Sequence, residues 1–251
     1  MRTFSSPVLL ALTCAVLLSA CNDKAGPAAS TKPATAVPTL SEATSAKAAE
    51  AARQTVLANA REKADKSVPL EQYQTLQSGN QLMYSYLALA GLPIDYAEIA
   101  RNVSADYARS SDAFQKNDLL KALQPKIDAS VSDARARRYY KITLDDAVQK
   151  YDFEKQAFPL NSSVWESGAF RYFNDNSSYH LGFTNGETFR YLNGVPEEAA
   201  RKIEHLRSVY QGLELVIYCF AQEANTSSRT VMAEIVKVVV RDKKGNVLAQ
   251  Q

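Results

Sequence analysis

The chain has 251 residues, with 29 Lys plus Arg against 27 Asp plus Glu and a formal net charge of +2. So near-neutral a balance gives no electrostatic case for nucleic acid or for a strongly anionic surface. Two histidines, no His-x-x-x-His or Cys-x-x-Cys spacing, and no Gly-x-Ser-x-Gly elbow, Ser-x-x-Lys motif or phosphate loop argue against a metal, a nucleotide cofactor or a familiar nucleophile.

In chain order, Arg2 opens a short positive region, and an apolar run from Val8 to Leu18 follows. The run is too short to cross a bilayer, which needs about 20 apolar residues. It ends in the small residues Ser19 and Ala20, as a cleavage site requires, and then Cys21. Leu18-Ser19-Ala20-Cys21 resembles the lipobox of bacterial lipoprotein precursors. The resemblance implies a signal peptide at 1–20 and lipid attachment at Cys21, by two acyl chains on sulfur and one on the new amino group. Each buried methylene contributes about 0.8 kcal/mol, so two or more chains anchor firmly where one is marginal. Asn22, not Asp, follows the cysteine. In that family this points to the outer membrane, facing the periplasm, over the inner one.

Residues 21–40 are rich in Ala, Pro, Thr and Lys and lack large apolar side chains, apart from Leu40 at the end, so they read as a flexible tether. The stretch 24–39 spans roughly 25 Å as a coil and about 60 Å fully extended. Residues 41–66 hold Ala, Glu, Lys and Arg with only Val56 and Leu57 as large apolar residues past the start, an exposed helix or an extension of the tether. Removal of Cys14 with the signal and lipidation of Cys21 leave Cys219 alone, so no intramolecular disulfide is expected.

From residue 68 to 251 the pattern is that of an α+β domain, N-terminal helices followed by a mostly antiparallel sheet with one inserted helix. The helical part, 68–125, holds an amphipathic helix over 70–90 stopped at Gly91, a short helix from Tyr96 to Val103, and a third from Asp112 to Leu123 closed by Pro125. Phe114, Leu119, Leu120 and Leu123 form the expected buried side of the third. In the β-rich part, 136–251, Tyr140, Ile142 and Leu144 alternate with polar neighbours, and Tyr151, Phe153 and Ala157 suggest a further strand. A hairpin turns at Asn174–Ser178, and Asn185-Gly186 predicts a second through a type I′ turn, leading to Phe189 and Tyr191. Pro196-Glu197-Glu198 starts the inserted helix, with Ile203, Leu206 and Val209 or Tyr210 as its stripe. Leu213–Ala221 and Val231–Val240 are apolar on both faces, as central strands are, and a short strand follows at Val247–Leu248.

Candidate chemistry is sparse. A Cys219–His180 pair is the sharpest enzymatic idea, but Tyr218 and Phe220 beside Cys219 favour a buried structural thiol. Asp145-Asp146 and Glu197-Glu198 are adjacent acids, which on a strand point to opposite faces and make no paired-carboxylate site. Arg135-Ala136-Arg137-Arg138 reads as the solvated start of a strand. Of thirteen tyrosines, Tyr139, Tyr140, Tyr172, Tyr179 and Tyr191 fall in the β-rich part, where they suit the rim of a sheet or a sugar, peptide or partner surface. The folded part resembles bacterial lipoprotein domains of unknown function. The sequence therefore leads to a lipid-anchored envelope module that binds another envelope protein or a cell-wall component without catalysis. An apolar-ligand carrier and an enzyme, by default a hydrolase, are the alternatives.

Overall fold

The computed structural model describes residues 47–52, 60–160, 165–166 and 171–251. The chain forms two compact units, Met1–Ala52 and Arg53–Gln251. In the first, residues 47–52 are helical and exposed. Cys21, Cys14 and the tether lie outside the described residues.

The second unit is α+β. Its helices are α1 (Gly79–Ala90), α2 (Tyr96–Val103), α3 (Ala105–Arg109), α4 (Ala113–Ala136) and α5 (Glu197–Ser208). Its strands are β1 (Gln74–Thr75), β2 (Tyr139–Asp145), β3 (Phe158–Pro159), β4 (Arg171–Phe173), β5 (Asn176–Phe183), β6 (Tyr191–Leu192), β7 (Leu213–Asn225), β8 (Thr230–Asp242) and β9 (Val247–Gln250). Seven strands form one sheet in the order β1-β2-β7-β8-β5-β4, with β9 also on β8, and β3 pairs with β6 separately. The long β8 shares one edge between two partners. β5 runs parallel along Thr230–Ala233, and β9 runs antiparallel along Val239–Arg241.

Period-two alternation places three rows of side chains across the sheet, all buried. These are Leu144–Leu215–Val240, Ile142–Ile217–Val238 and Tyr140–Cys219–Ile235, aligned by the β2–β7 and β7–β8 registers. α1 packs on β5, β7 and β8 and against α4, adding Leu82, Met83 and Tyr86 to the core. Removing each such side chain from water contributes about 1.5–3 kcal/mol. Among the core polar groups, the Ser85 and Tyr140 hydroxyls hydrogen-bond each other at 2.7 Å.

Several sequence expectations change. The helix expected from residue 70 begins at Gly79, because Tyr73 and Leu76 are buried from extended backbone and Ser78 caps the helix by accepting from Asn80 N. Pro125 does not close the third helix. α4 runs through it to Ala136, and Ile127, Val131 and Ala134 beyond the proline bury its second half. Phe114, expected inside, is 84% exposed in the first turn. The strand read at Tyr151–Ala157 is a tight loop closed by bridges Val148–Leu160 and Asp152–Ala157. The Asn185-Gly186 hairpin is also absent. Asn185 has φ −126°, whereas a type I′ turn needs positive φ, and its side chain binds Ile235 N (2.8 Å) and Ile235 O (2.9 Å) on β8. A 3-10 turn at Gly186–Phe189 then sends Tyr191–Leu192 to β3. Val209 and Tyr210 leave the core face of α5, whose buried residues are Ala200 and Ile203.

The other sheet face carries a strap. From Arg61 to Pro69 the chain is not helical. Arg61 pairs with Glu223 at 2.7 Å, Ala64 N donates to Glu234 at 3.1 Å, and Asp65 N donates to the Tyr139 hydroxyl at 2.8 Å. Tyr73 then meets Tyr139 and Tyr218 edge-on, at 5.1 and 5.2 Å between ring centres. The β7 bulge at Gln222 re-aims that side chain into the same contact. Its amide nitrogen donates to Glu62 O (2.8 Å) and to Glu234 (3.0 Å), and its oxygen accepts from Thr184 (2.8 Å). Arg138, in the basic run, lies 4.2 Å from the Phe220 ring centre and pairs with Glu62.

The N-terminus of α1 is held by the β4–β5 turn. Asp175 accepts from Ser78 Oγ (2.7 Å), Gly79 N (2.8 Å) and Asn80 N (3.3 Å). Partial burial pushes the Asp175 carboxyl up, but these bonds outweigh it and hold its pKa below the ordinary value. Gly79 lies so close that a Cβ would sit 2.3 Å from Asn176 O.

Two predictions follow from this junction. Gly79→Ala stabilises an open helix by about 1 kcal/mol, but here the clash reverses the sign, and urea unfolding should show a loss of about 2 kcal/mol. Asp175→Asn removes a charged cap and should cost about 1 kcal/mol at pH 7. Because the folded-state pKa is lowered, the stabilisation is complete above the unfolded value near 3.9 and fades as pH falls through the folded one. Denaturation midpoints of parent and variant should therefore converge below about pH 4.

Candidate functional site

The enzymatic pair from the sequence is not assembled. Cys219 pairs with Ile235 across β8, whereas His180 on β5 pairs with Thr230. Five residues of β8 separate those positions, about 16 Å along the strand. Cys219 is fully buried, and burial pushes its thiol up to about 12. His180 Nδ1 lies 3.2 Å from Ser228 O. The adjacent acids also part. Asp145 pairs with Lys243, Asp146 takes a left-handed conformation (φ 50°), and Glu197 pairs with Arg201. Among the described residues no group of three or more His, Cys, Asp or Glu could hold a metal.

The tyrosines divide. Tyr140 and Tyr179 are core residues, Tyr139 belongs to the strap contact, and only Tyr191 of those described stands at a rim, with Lys155 Nζ donating to its hydroxyl at 2.6 Å. Tyr172's side chain lies outside the described residues.

Two clefts of the unit lie along α5. A cleft of about 620 Å³ is walled by α5 residues Glu197, Ala200, Arg201 and Glu204 and by Tyr151, Phe153 and Gln156 of the facing loop. A second, of about 550 Å³, adjoins it at Lys150 and Arg207 and reaches Asp146, Tyr210 and Gly212. Between the two, Glu204 accepts from Arg207 Nη2 at 2.6 Å and from Tyr151 N at 3.2 Å, bridging α5 to the facing loop. The Arg207 bond, with Tyr151 N–H assisting, lowers the Glu204 pKa against burial, so that carboxylate stays ionised and is no general acid.

Each wall is locally dictated. Pro196 and two glutamates start α5, and Gly212 (φ 69°) ends the turn after it. On the facing loop, Asp152 Oδ1 accepts from Glu154 N (3.0 Å) and Lys155 N (3.1 Å), while its backbone pairs with Ala157. Those backbone donors, Lys155 first, lower the Asp152 pKa. The closed loop pushes Phe153 outward. Buried Phe158 packs on Tyr151 (4.9 Å), and Tyr151 packs on Phe153 (5.0 Å), so a ladder of rings runs from the core to a ring 80% exposed. At the far end Tyr210, at φ 54°, is 95% exposed.

Sequence reasoning passed over both rings, reading Phe153 as a strand residue and Tyr210 as part of a core stripe. The signal for the first was Asp152, an acid whose side chain closes a tight loop. For the second it was position, since Gly212 sets the end of the α5 connection just beyond Tyr210.

The burial of Cys219 makes a chemical prediction. At pH 8 its thiol should not react with a disulfide reagent in the folded protein and should react once urea unfolds it. Modification of native Cys219 at the rate of a free thiol contradicts the burial.

A family model described as a domain of unknown function (DUF4852) matches residues 94–204, a span from the start of α2 into α5 that contains the Asp152 loop. No curated protein and no solved structure matches the chain.

Proposed function

We propose that this is an envelope lipoprotein, held at a membrane by acyl chains on Cys21, whose folded unit binds a partner in the groove along α5 without catalysis. The outer membrane, facing the periplasm, is the proposed location, on the strength of Asn22. Support for the anchor is the Leu18-Ser19-Ala20-Cys21 sequence. No helix among the described residues is long and apolar enough to cross a membrane.

The observation that carries the binding reading is the ring ladder ending at Phe153. An apolar ring costs free energy when left in water, and this one is braced from behind by Tyr151 and the core. A braced ring loses little freedom on binding, which is how recognition surfaces limit their entropic cost. Along the groove Glu197 pairs with Arg201 and Glu204 with Arg207. The carrier reading has less support, because Leu82, Met83, Ile217 and Val238 fill the space between sheet and helices where an apolar ligand would sit.

Metabolic labelling with palmitate tests the anchor. The parent chain should take up label and sediment with membranes, and Cys21→Ala should do neither. A Cys21→Ala chain that is processed and fractionates like its parent overturns the lipoprotein reading.

A further inference from the structure

We propose that the groove along α5 is a glycan site, taking a linear chain of uncharged sugar residues such as a cell-wall polysaccharide strand. The inference rests on the binding-module reading and names its partner. Three features of the groove carry it.

The first is the pair of exposed rings. A sugar residue has a face of C–H groups and a rim of hydroxyls, so it stacks on an aromatic face while its rim seeks polar groups. Phe153 and Tyr210 lie on the borders of the two adjoining clefts. The α5 wall from Glu197 to Arg207 is about 15 Å long at 1.5 Å per residue, a length suited to a chain of several sugars and excessive for one.

The second is charge. Glu197, Glu204 and Asp146 are matched along the groove by Arg201, Arg207 and Lys150. Glu197 binds Arg201 Nη2 at 2.6 Å, and Glu204 binds Arg207. A site balanced in this way offers no net field to capture an anionic polymer or a polycation. It does present carboxylate and guanidinium edges that exchange hydrogen bonds with hydroxyls.

The third separates a glycan from an extended peptide. A peptide bound in extended form is held mainly by main-chain hydrogen bonds to a free strand edge. Here one wall is a helix whose backbone groups are bonded internally, and the facing Asp152 loop has its own N–H groups turned onto Asp152. The groove therefore offers side chains and rings, which suit hydroxyls.

The test uses the full chain purified in detergent. One arm sediments it with purified cell-wall sacculi. The other titrates it with the soluble β-1,4-linked tetramer of N-acetylglucosamine. Saturable binding in both arms is expected, with the tetramer displacing the protein from sacculi, weakened about tenfold by Phe153→Ala and about tenfold by Tyr210→Asn, with thermal midpoints close to the parent's. Asparagine is chosen because it tolerates the left-handed backbone at position 210. Binding to the tetramer assigns the site to the sugar chain, whereas binding to sacculi that the tetramer neither shares nor competes assigns it to the peptide part of the wall and overturns the proposal. No binding in either arm overturns the proposal, as does binding that both variants leave unchanged, or displacement from sacculi by wall peptides and not by the tetramer. None of these outcomes touches palmitate labelling at Cys21, so failure of the glycan assignment and failure of the anchor are read separately.

Discussion

The fold depends on one junction, where the first turn of α1 sits on the β4–β5 turn. Asp175 accepts from three groups of residues 78–80, and Gly79 lets the Asn176 carbonyl approach to a distance that any side chain would forbid. Asn176 also donates to the Asn80 side chain at 3.1 Å. Nearly a hundred residues of chain separate the two sides of this contact. It fixes where the helical layer lies over the sheet, and so which side chains meet Leu82, Met83 and Tyr86. A helix N-terminus has unsatisfied N–H groups and a partial positive charge, so a carboxylate delivered from a distant turn satisfies both at once.

The central strands then serve two purposes with one alternation. Odd-numbered positions of β7 up to Cys219 build the core rows under α1, while Tyr218 and Phe220 face the strap. The bulge at Gln222 breaks the alternation at the point where the strap must be held. A buried amide is costly unless its hydrogen bonds are made, and this one makes them to Glu62, Glu234 and Thr184. In the turn of the same hairpin, Arg229 pairs with Glu98 of α2, so helices and sheet are tied at a second place.

Much of this was legible in the sequence where one local rule acted alone. β2 followed its alternation, α2 its spacing, β7 and β8 their two-faced apolarity, and the α+β order its segregation of patterns. Legibility failed where a distant partner decided the outcome. Pro125 looked like a stop because the packing of Ile127 and Val131 is not written beside it. Asn185-Gly186 looked like a hairpin because the claim of Ile235 on the Asn185 amide comes from fifty residues away. The groove was illegible for the same reason. Phe153 and Tyr210 are ordinary aromatic letters until a closed loop and a helix end leave each exposed at the border of a cleft beside α5.

The strap also sets how the unit bears load. Tension drawn through the residues that precede Arg61 meets the Arg61–Glu223 and Arg138–Glu62 ion pairs before it reaches any strand. Behind them the chain runs through Tyr73 to β1, two residues paired in parallel with β2. A pull from that end therefore loads surface side-chain pairs first and a strand only after them.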